Sequence, residues 1–347
     1  MKTPAAILVE QRQPLVIDEV EVPALSYGQV LVRMTASRIC GSQLGEIDGV
    51  KGPDKYLPHL LGHEGGGVVL ETGPEVSRVK AGDHVVLHWR PAAGIQARPV
   101  TYKLGGKTIN AGNITTFQNL TVVSENRLTP VPTGTDPEIS SLLADTLTTG
   151  FGSVTRNAKV TLGESVVVVG VGGIGLGAIL GAKLSGAHPI IAADIHDNKL
   201  AKAREYGATH TINTRNENLV EAAQRILGGS GADAVFDGTG NPAVIDQAWK
   251  LTNNKGRLVL IGVMRHDQSF SLNTLPLHFG KVLTGSEGGA SIPHVDIPRY
   301  LRMITDGRFD PRGFVSHRCR LTDINQAIAA MRAGESIHTM IHFEEAA

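Results

Sequence analysis

Asp145 is the only charged residue in the run "LLADTLTTG", residues 142–150. An ionised carboxylate avoids dry surroundings unless something pairs with it. The next cation along the chain is Arg156, so the partner of Asp145 has to come from elsewhere in the sequence. A second stretch shows its chemistry more openly. Gly170-Val171-Gly172-Gly173-Ile174-Gly175 reads G-x-G-x-x-G. The pattern alone is weak in a chain with 41 glycines. Here it follows the strand-like "SVVVV" and opens the helix-like "IGLGAILGAKLSG". A second strand, "IIAAD", ends at Asp194, nineteen residues after Gly175. That context is the one a dinucleotide fold requires. Gly170 permits the tight turn, and Gly172 lets backbone N–H groups approach a pyrophosphate at the helix N-terminus. Gly175 allows close helix–strand packing. An acid at 194 accepts hydrogen bonds from an adenosine ribose and repels a 2′-phosphate, which favours NAD over NADP.

These residues need a scaffold, and the sequence predicts two kinds. The first 145 residues are rich in short β-branched runs, "PAAILVE", "QVLVRMTAS", "GGGVVLETG" and "DHVVLHW", between Gly, Pro and Asp. From about Thr148 to Ser286 the rhythm changes. Buried runs such as "PIIAADI", "ADAVFDGTG", "RLVLIGV" and "KVLTGSE" alternate with helical stretches such as "HDNKLAKAREYGA". That alternation predicts a parallel, doubly wound sheet. In the tail, "VDIPRYLRMITDGRFD" and "LTDINQAIAAMRAGE" predict two amphipathic helices, with short strands between them and at "IHTMIHF".

Bulk composition narrows the partners. A chain of 347 residues is too long for one ordinary core. Lys plus Arg equals Asp plus Glu at 33 each, and no basic block stands out, which argues against nucleic acid and anionic membrane. The apolar run from Val166 to Ala182 is broken by glycines and reads as strand, turn and helix rather than a membrane span. Two cysteines, Cys40 and Cys319, exclude a disulfide framework or a four-cysteine metal knot and suit a reducing cytoplasm. The N-terminus meets charge at Glu10 before any long apolar run and does not read as a signal peptide.

Cys40 in "ASRICGSQLG" and His63 in "LLGHEGGGVV" carry donor atoms, but a lone Cys or His is more often packing than a ligand. The motifs around them add the missing context. "GHEGGGVVLETGPEVSRVKAGDHVV" resembles the zinc-alcohol-dehydrogenase signature of the medium-chain dehydrogenase/reductase family. "SGAHPIIAADIHDNKLAKAREYGATHTIN" resembles that family's coenzyme domain, and "LTDINQAIAAMRAGESIHTMIHF" its C-terminal end. The similarity spans essentially the whole chain, and it is greatest to the class I and class III branch, through "GGKTINAGNITTFQNLTVVSEN". It implies an α/β fold with a GroES-like β-rich catalytic domain over residues 1–147 and 287–347 and a Rossmann NAD-binding domain over 148–286.

Carried over residue by residue, the resemblance implies that Cys40 and His63 are the first two ligands of a catalytic zinc. Family members usually supply the third ligand as a Cys just before a T-G-[YF]-G-S turn. Here that motif is Thr149-Gly150-Phe151-Gly152-Ser153, and the matching residue is Asp145. Cys and Asp each bring one negative charge, so the exchange preserves neutralisation of Zn²⁺, and zinc accepts S, N and O donors in one site. The same Cys-His-Asp set resembles the glutathione-independent formaldehyde dehydrogenase/dismutase group of the family. The structural zinc of many relatives sits in a four-cysteine lobe after "VVLHW". This chain has "RPAAGIQARPVTYKLGG" there, without Cys, so one zinc per chain is expected.

The resemblance also assigns roles around the metal. Ser42 matches the hydroxyl that takes the alcohol proton, and Glu64 is a nearby acid that tunes the metal. Relatives often pass the proton on to a His, but that position is Gly45, so the relay ends on water or another base. Coenzyme contacts are expected at Gly41, Ser42, Thr149, Gly170, Gly172, Gly173, Ile174, Gly175, Asp194, Ile195, Lys199, Gly262, Val263 and His338. Gly41 and His338 stand where relatives often carry cations, so two charged contacts are weakened. Trp89, Phe117 and Leu277 are expected near the substrate. The implied activity is hydride transfer between an alcohol or aldehyde and NAD, by a cytoplasmic homodimer or homotetramer. Two other readings fit part of the sequence. One is a zinc-free NAD(P)H-dependent reductase of the same fold. The other is a non-catalytic NAD-binding protein, against which the metal set and Ser42 argue.

Overall fold

The strand Gln29–Ile39, "QVLVRMTASRI", is the longest in the chain, and its mostly buried pattern makes it the axis of the first unit. The structure, a computed structural model, describes residues 1–343. Its chain forms two units, one from Met1–Asp145 with the segment from Ile292 onward, the other Thr146–Ser291. The sequence reading places the changes at residues 147 and 286.

In the first unit the sheet runs Leu128–Val131, His84–His88, Glu64–Thr72, Gln29–Ile39, Thr339–His342, His317–Arg320, with Leu120–Ser124 also paired to Gln29–Ile39. A closed barrel joins Lys2–Leu8, Val16–Glu21, Thr101–Leu104, Lys107–Asn110 and His59–Leu60, and closure leaves no open edge there. Val30, Val32, Met34, Ile39, Leu87, Phe117 and Ile341 belong to one buried core between these layers. The β-rich expectation holds, and the two tail helices appear as Pro293–Thr305 and Ile324–Ala333.

Gly66 determines how the helix Pro137–Ala144 meets this sheet. A Cβ on Gly66 would lie 2.8 Å from Ser140 Cβ and 3.2 Å from the Pro137 carbonyl. A side chain there would push the helix away from the sheet. The helix ends at Asp145, so Gly66 also bears on the depth at which that carboxylate sits.

The second unit is a six-stranded parallel sheet in the order His210–Asn213, Ile190–Asp194, Val166–Val169, Ala232–Asp237, Thr252–Leu260, Val282–Gly285. Every residue of Val166–Val169 and Ile190–Asp194 is buried, as expected of strands covered on both faces. This is the doubly wound architecture expected from the alternating pattern.

One local expectation fails. The T-G-F-G-S segment is not a turn. Thr146–Gly152 is helical and runs into a wider helical turn at Ser153–Asn157. Its glycines serve contact instead of chain reversal. A Cβ on Gly150 would stand 2.6 Å from the Gly177 carbonyl carbon, and one on Gly152 only 2.1 Å from the Gly289 oxygen. Among the described residues no helix is long and apolar enough to cross a membrane.

Candidate metal and coenzyme sites

The strand Gln29–Ile39 ends at Cys40, which caps the helix Gly41–Ile47. His63 leads into the glycine-rich strand Glu64–Thr72, and Asp145 closes the helix Pro137–Ala144. These elements converge. Donor atoms of Cys40, His63, Glu64 and Asp145 all lie within 4.8 Å of one another. His63 Nε2 is 3.6 Å from Asp145 Oδ2 and 3.7 Å from Glu64 Oε1. Two donors bound at about 2.0–2.2 Å across a tetrahedral angle stand roughly 3.4 Å apart, close to the His63–Asp145 separation.

The donor set fits zinc on two further grounds. His63 Nε2 is buried with no hydrogen-bond partner, although it faces two carboxylates. A buried nitrogen that stands beside two carboxylates without bonding to either is spaced for a cation shared among them. The electrostatics agree. Burial pushes the Cys40 thiol up, but Arg38 and His63 overcome that and bring it down to about 6. Burial pushes the Glu64 carboxyl up to about 8, with Arg38 opposing the rise and Asp145 and Cys40 adding to it. Burial disfavours a charge on His63, yet Asp145 and Cys40 hold its pKa well above the ordinary imidazole value. His63 and Glu64 both shift toward holding a proton, so positive charge is favoured beside them, where one thiol, one imidazole and one carboxylate gather.

Side chains behind the donors hold them in place. Gln43 takes the Cys40 N–H on its oxygen at 2.8 Å and sets its amide nitrogen 2.6 Å from His63 Nδ1. One side chain thus fixes two donors. The Arg38 guanidinium, 2% exposed, lies 2.8 Å from Glu64 Oε1, and Glu64 is fully buried. Trp89 Nε1 donates to Asp145 Oδ1 at 3.0 Å. Sequence reasoning missed Gln43 and Arg38. A Gln three residues after Cys40, where the helix begins, was the available signal for the first.

Ser42 lies in the first turn of Gly41–Ile47, and its Oγ is buried without a hydrogen-bond partner. Gly41 beside it is exposed. The expected substrate-lining residues divide. Trp89 is half-buried and bonded to Asp145. Phe117 is fully buried in the core of the first unit, packed where a Cβ on Gly62 would strike it at 2.7 Å. Its apolar ring contributes to the core. Leu277, in the second unit, is 38% exposed. His338 has no exposed surface and packs on Phe314 with ring centroids 5.4 Å apart.

In the second unit the fingerprint loop has the shape its residues predict. Gly170 has φ +88°, in the left-handed region that favours glycine, and a Cβ on Gly175 would lie 2.2 Å from the Gly170 oxygen. A Cβ on Gly172 would meet nothing within 4 Å, so space lies open at the N-terminus of the helix Gly173–Leu184, with Ile174 in its first turn. That opening fits a pyrophosphate. Asp194, at the end of its strand, accepts from Val171 N–H at 2.8 Å and His196 N–H at 3.0 Å. Its carboxylate therefore braces the loop as well, a role the spacing alone did not reveal. Carboxylate lone pairs remain for ribose hydroxyls. Ile195 and Val263 are exposed, Lys199 is half-buried, and Thr149 is buried. Gly262 is packed against Gly240 N, 2.4 Å from its would-be Cβ.

Comparison with known proteins meets this geometry. Residues 26–133 match the alcohol dehydrogenase GroES-like domain, and residues 173–306 match the zinc-binding dehydrogenase family. An S-(hydroxymethyl)glutathione dehydrogenase of Paracoccus denitrificans is 32% identical over 98% of this chain and all of its own length. The chain belongs to the zinc-containing alcohol dehydrogenases of the medium-chain dehydrogenase/reductase family. A class-3 alcohol dehydrogenase of Cereibacter sphaeroides is 31% identical over 99% of this chain and all of its own. Among solved structures of the family, benzyl alcohol dehydrogenase from Acinetobacter calcoaceticus superposes with a TM-score of 0.88 at 26% identity, covering 99% of this chain and all of its own. A Burkholderia ambifaria alcohol dehydrogenase zinc-binding domain protein gives 0.91 at 29% identity, with the same coverage.

Proposed function

We propose that this dehydrogenase interconverts a small alcohol and its aldehyde with NAD, using one zinc held by Cys40, His63 and Asp145. The observation that carries the reading is the convergence of a thiol, a partnerless imidazole nitrogen and a carboxylate within 4.8 Å. When bound, zinc supplies a Lewis acid that acidifies an alcohol, and NAD supplies the hydride acceptor. The chain's own residues do the rest. Ser42 Oγ, buried and without a partner, receives the alcohol proton at the helix N-terminus beside Cys40. Gly45 offers no side chain to take it further, so the proton passes to water or another base. Arg38 holds the buried Glu64 carboxyl beside the metal donors, and Gln43 positions the His63 ring. Asp194 receives the ribose hydroxyls, with Lys199 near them, and the carboxylate disfavours a 2′-phosphate.

The assembly we propose is a homodimer. The strand Val282–Gly285 ends its sheet, and Leu275, Phe279 and Val282 around it are 59%, 69% and 42% exposed. A second copy covers that edge by a two-fold contact of like surfaces. Both cysteines are free, which suits a cytoplasmic setting.

Asp145 gives the decisive experiment. Asp145→Ala should release zinc, measured by atomic emission on tag-free protein, and abolish turnover with NAD across a panel of alcohols. Asp145→Cys should retain zinc, because the thiolate restores a donor of the same charge. An Asp145→Ala protein with full zinc and full turnover would overturn the reading.

A further inference from the structure

A carboxylate differs from a thiolate in one way that matters at a catalytic metal: it has two donor atoms. Bound through both oxygens, Asp145 would occupy a second coordination position and crowd the one that catalysis needs open. The structure separates the two oxygens. Oδ2 faces His63 Nε2 at 3.6 Å, and Oδ1 accepts the Trp89 indole N–H at 3.0 Å. The indole has a single N–H donor and no acceptor, so it distinguishes the oxygen it holds from the one it leaves.

Trp89 reaches this position through sheet register. His84–His88 pairs antiparallel with Glu64–Thr72, with Glu64 opposite His88, so the residue after His88 emerges beside the metal donors. The backbone there is firmly held. His88 is fully buried and bonds through both ring nitrogens, to the Arg90 carbonyl and to Thr129 Oγ1, each at 2.8 Å. Arg127 donates to the Trp89 carbonyl. The Arg90 guanidinium lies 5.8 Å from the Trp89 ring centroid and covers the indole. The backbone of Trp89 is thus held, one face of its ring is covered, and its N–H is aimed at one carboxylate oxygen.

We infer that Trp89 is a positioning residue that makes Asp145 a one-oxygen metal ligand by holding Oδ1 away from the metal and leaving the fourth coordination position open. This rests on the reading of Asp145 as a ligand. A thiolate at 145 would give the indole N–H no second oxygen to hold, so the function of Trp89 depends on the acid at 145.

That dependence supplies the test. Trp89→Phe is made in the native chain and in the Asp145→Cys chain, and zinc affinity is measured by competition with a chromogenic chelator. In the native chain Trp89→Phe should weaken zinc binding about tenfold, as loss of an outer partner of a ligand does. In the Asp145→Cys chain it should change affinity less than about twofold. The visible spectrum of the cobalt-substituted protein gives a second readout. Trp89→Phe should convert the intense bands of four-coordinate Co²⁺ to the weaker ones of a five-coordinate ion in the native chain. Equal weakening in both chains would mean that the indole only packs, and the inference fails. An unchanged cobalt spectrum and unchanged zinc affinity in the native chain would overturn it even if the Asp145→Cys chain does not fold. Full zinc in Asp145→Ala would instead remove the ligand assignment, a separate outcome.

Discussion

At the scale of single residues, chemical identity was easier to read than arrangement. Cys40, His63 and Asp145 stood out because their types and neighbouring motifs restrict what they can do. Their supports did not: Arg38 and Trp89 act across strands, through register that no local pattern encodes, and Gln43 reaches His63 from the helix that Cys40 caps. Trp89 and Phe117 were both read as pocket-lining aromatics. One braces a carboxylate and the other fills the core, and only burial tells them apart. Ser42 has a role that can be measured. Ser42→Ala should lower kcat about a hundredfold by removing a placed proton acceptor, while zinc content stays at one per chain. Single-turnover hydride transfer followed by absorbance checks this. An unaltered rate would send the proton by another route.

At the scale of elements, the alternation of strands and helices was legible, and so were the fingerprint and its Asp194. The T-G-F-G-S segment was misread because glycine marks close packing as often as it marks turns, and its partners Gly177 and Gly289 are distant in sequence. The segment after His88 shows how a loop without metal-binding cysteines is held. Glu125, 1% exposed, accepts from Ser77 N–H and Arg78 N–H at 2.7 Å each and from Ile95 N–H at 2.8 Å. Burial alone would raise its carboxyl, but these three backbone donors and Arg78 hold it below the usual carboxylate range. Gln96 adds to the network, accepting from Asn126 Nδ2 at 3.2 Å and Arg127 at 2.8 Å. Glu125→Ala strands three backbone donors. It should cost about 3 kcal/mol, at roughly 1 kcal/mol or more for each charge-assisted bond, without loss of catalytic zinc. Urea unfolding and metal analysis of the same sample test both parts, and a variant as stable as the native chain would assign the loop to other contacts.

At the scale of the whole molecule, the proposed dimer edge predicts that Phe279→Asp with Val282→Lys yields a single chain in sedimentation, where the native protein has the mass of two. Native protein that sediments as one chain would remove the dimer. The path of the chain has another consequence. The first unit is interrupted by the second: its strand Thr339–His342 sits between Gln29–Ile39 and His317–Arg320 and is made only after the whole second unit. Domains tend to fold as units while the ribosome is still at work. The three proposed zinc donors are synthesised before residue 146, yet the strand that ends at Cys40 lacks this neighbour until nearly two hundred further residues have been synthesised. The coenzyme unit, being continuous, is complete by Ser291. A nascent chain stalled there should protect its fingerprint loop from protease but bind zinc poorly, so that metal loading waits for the strand made after the coenzyme unit.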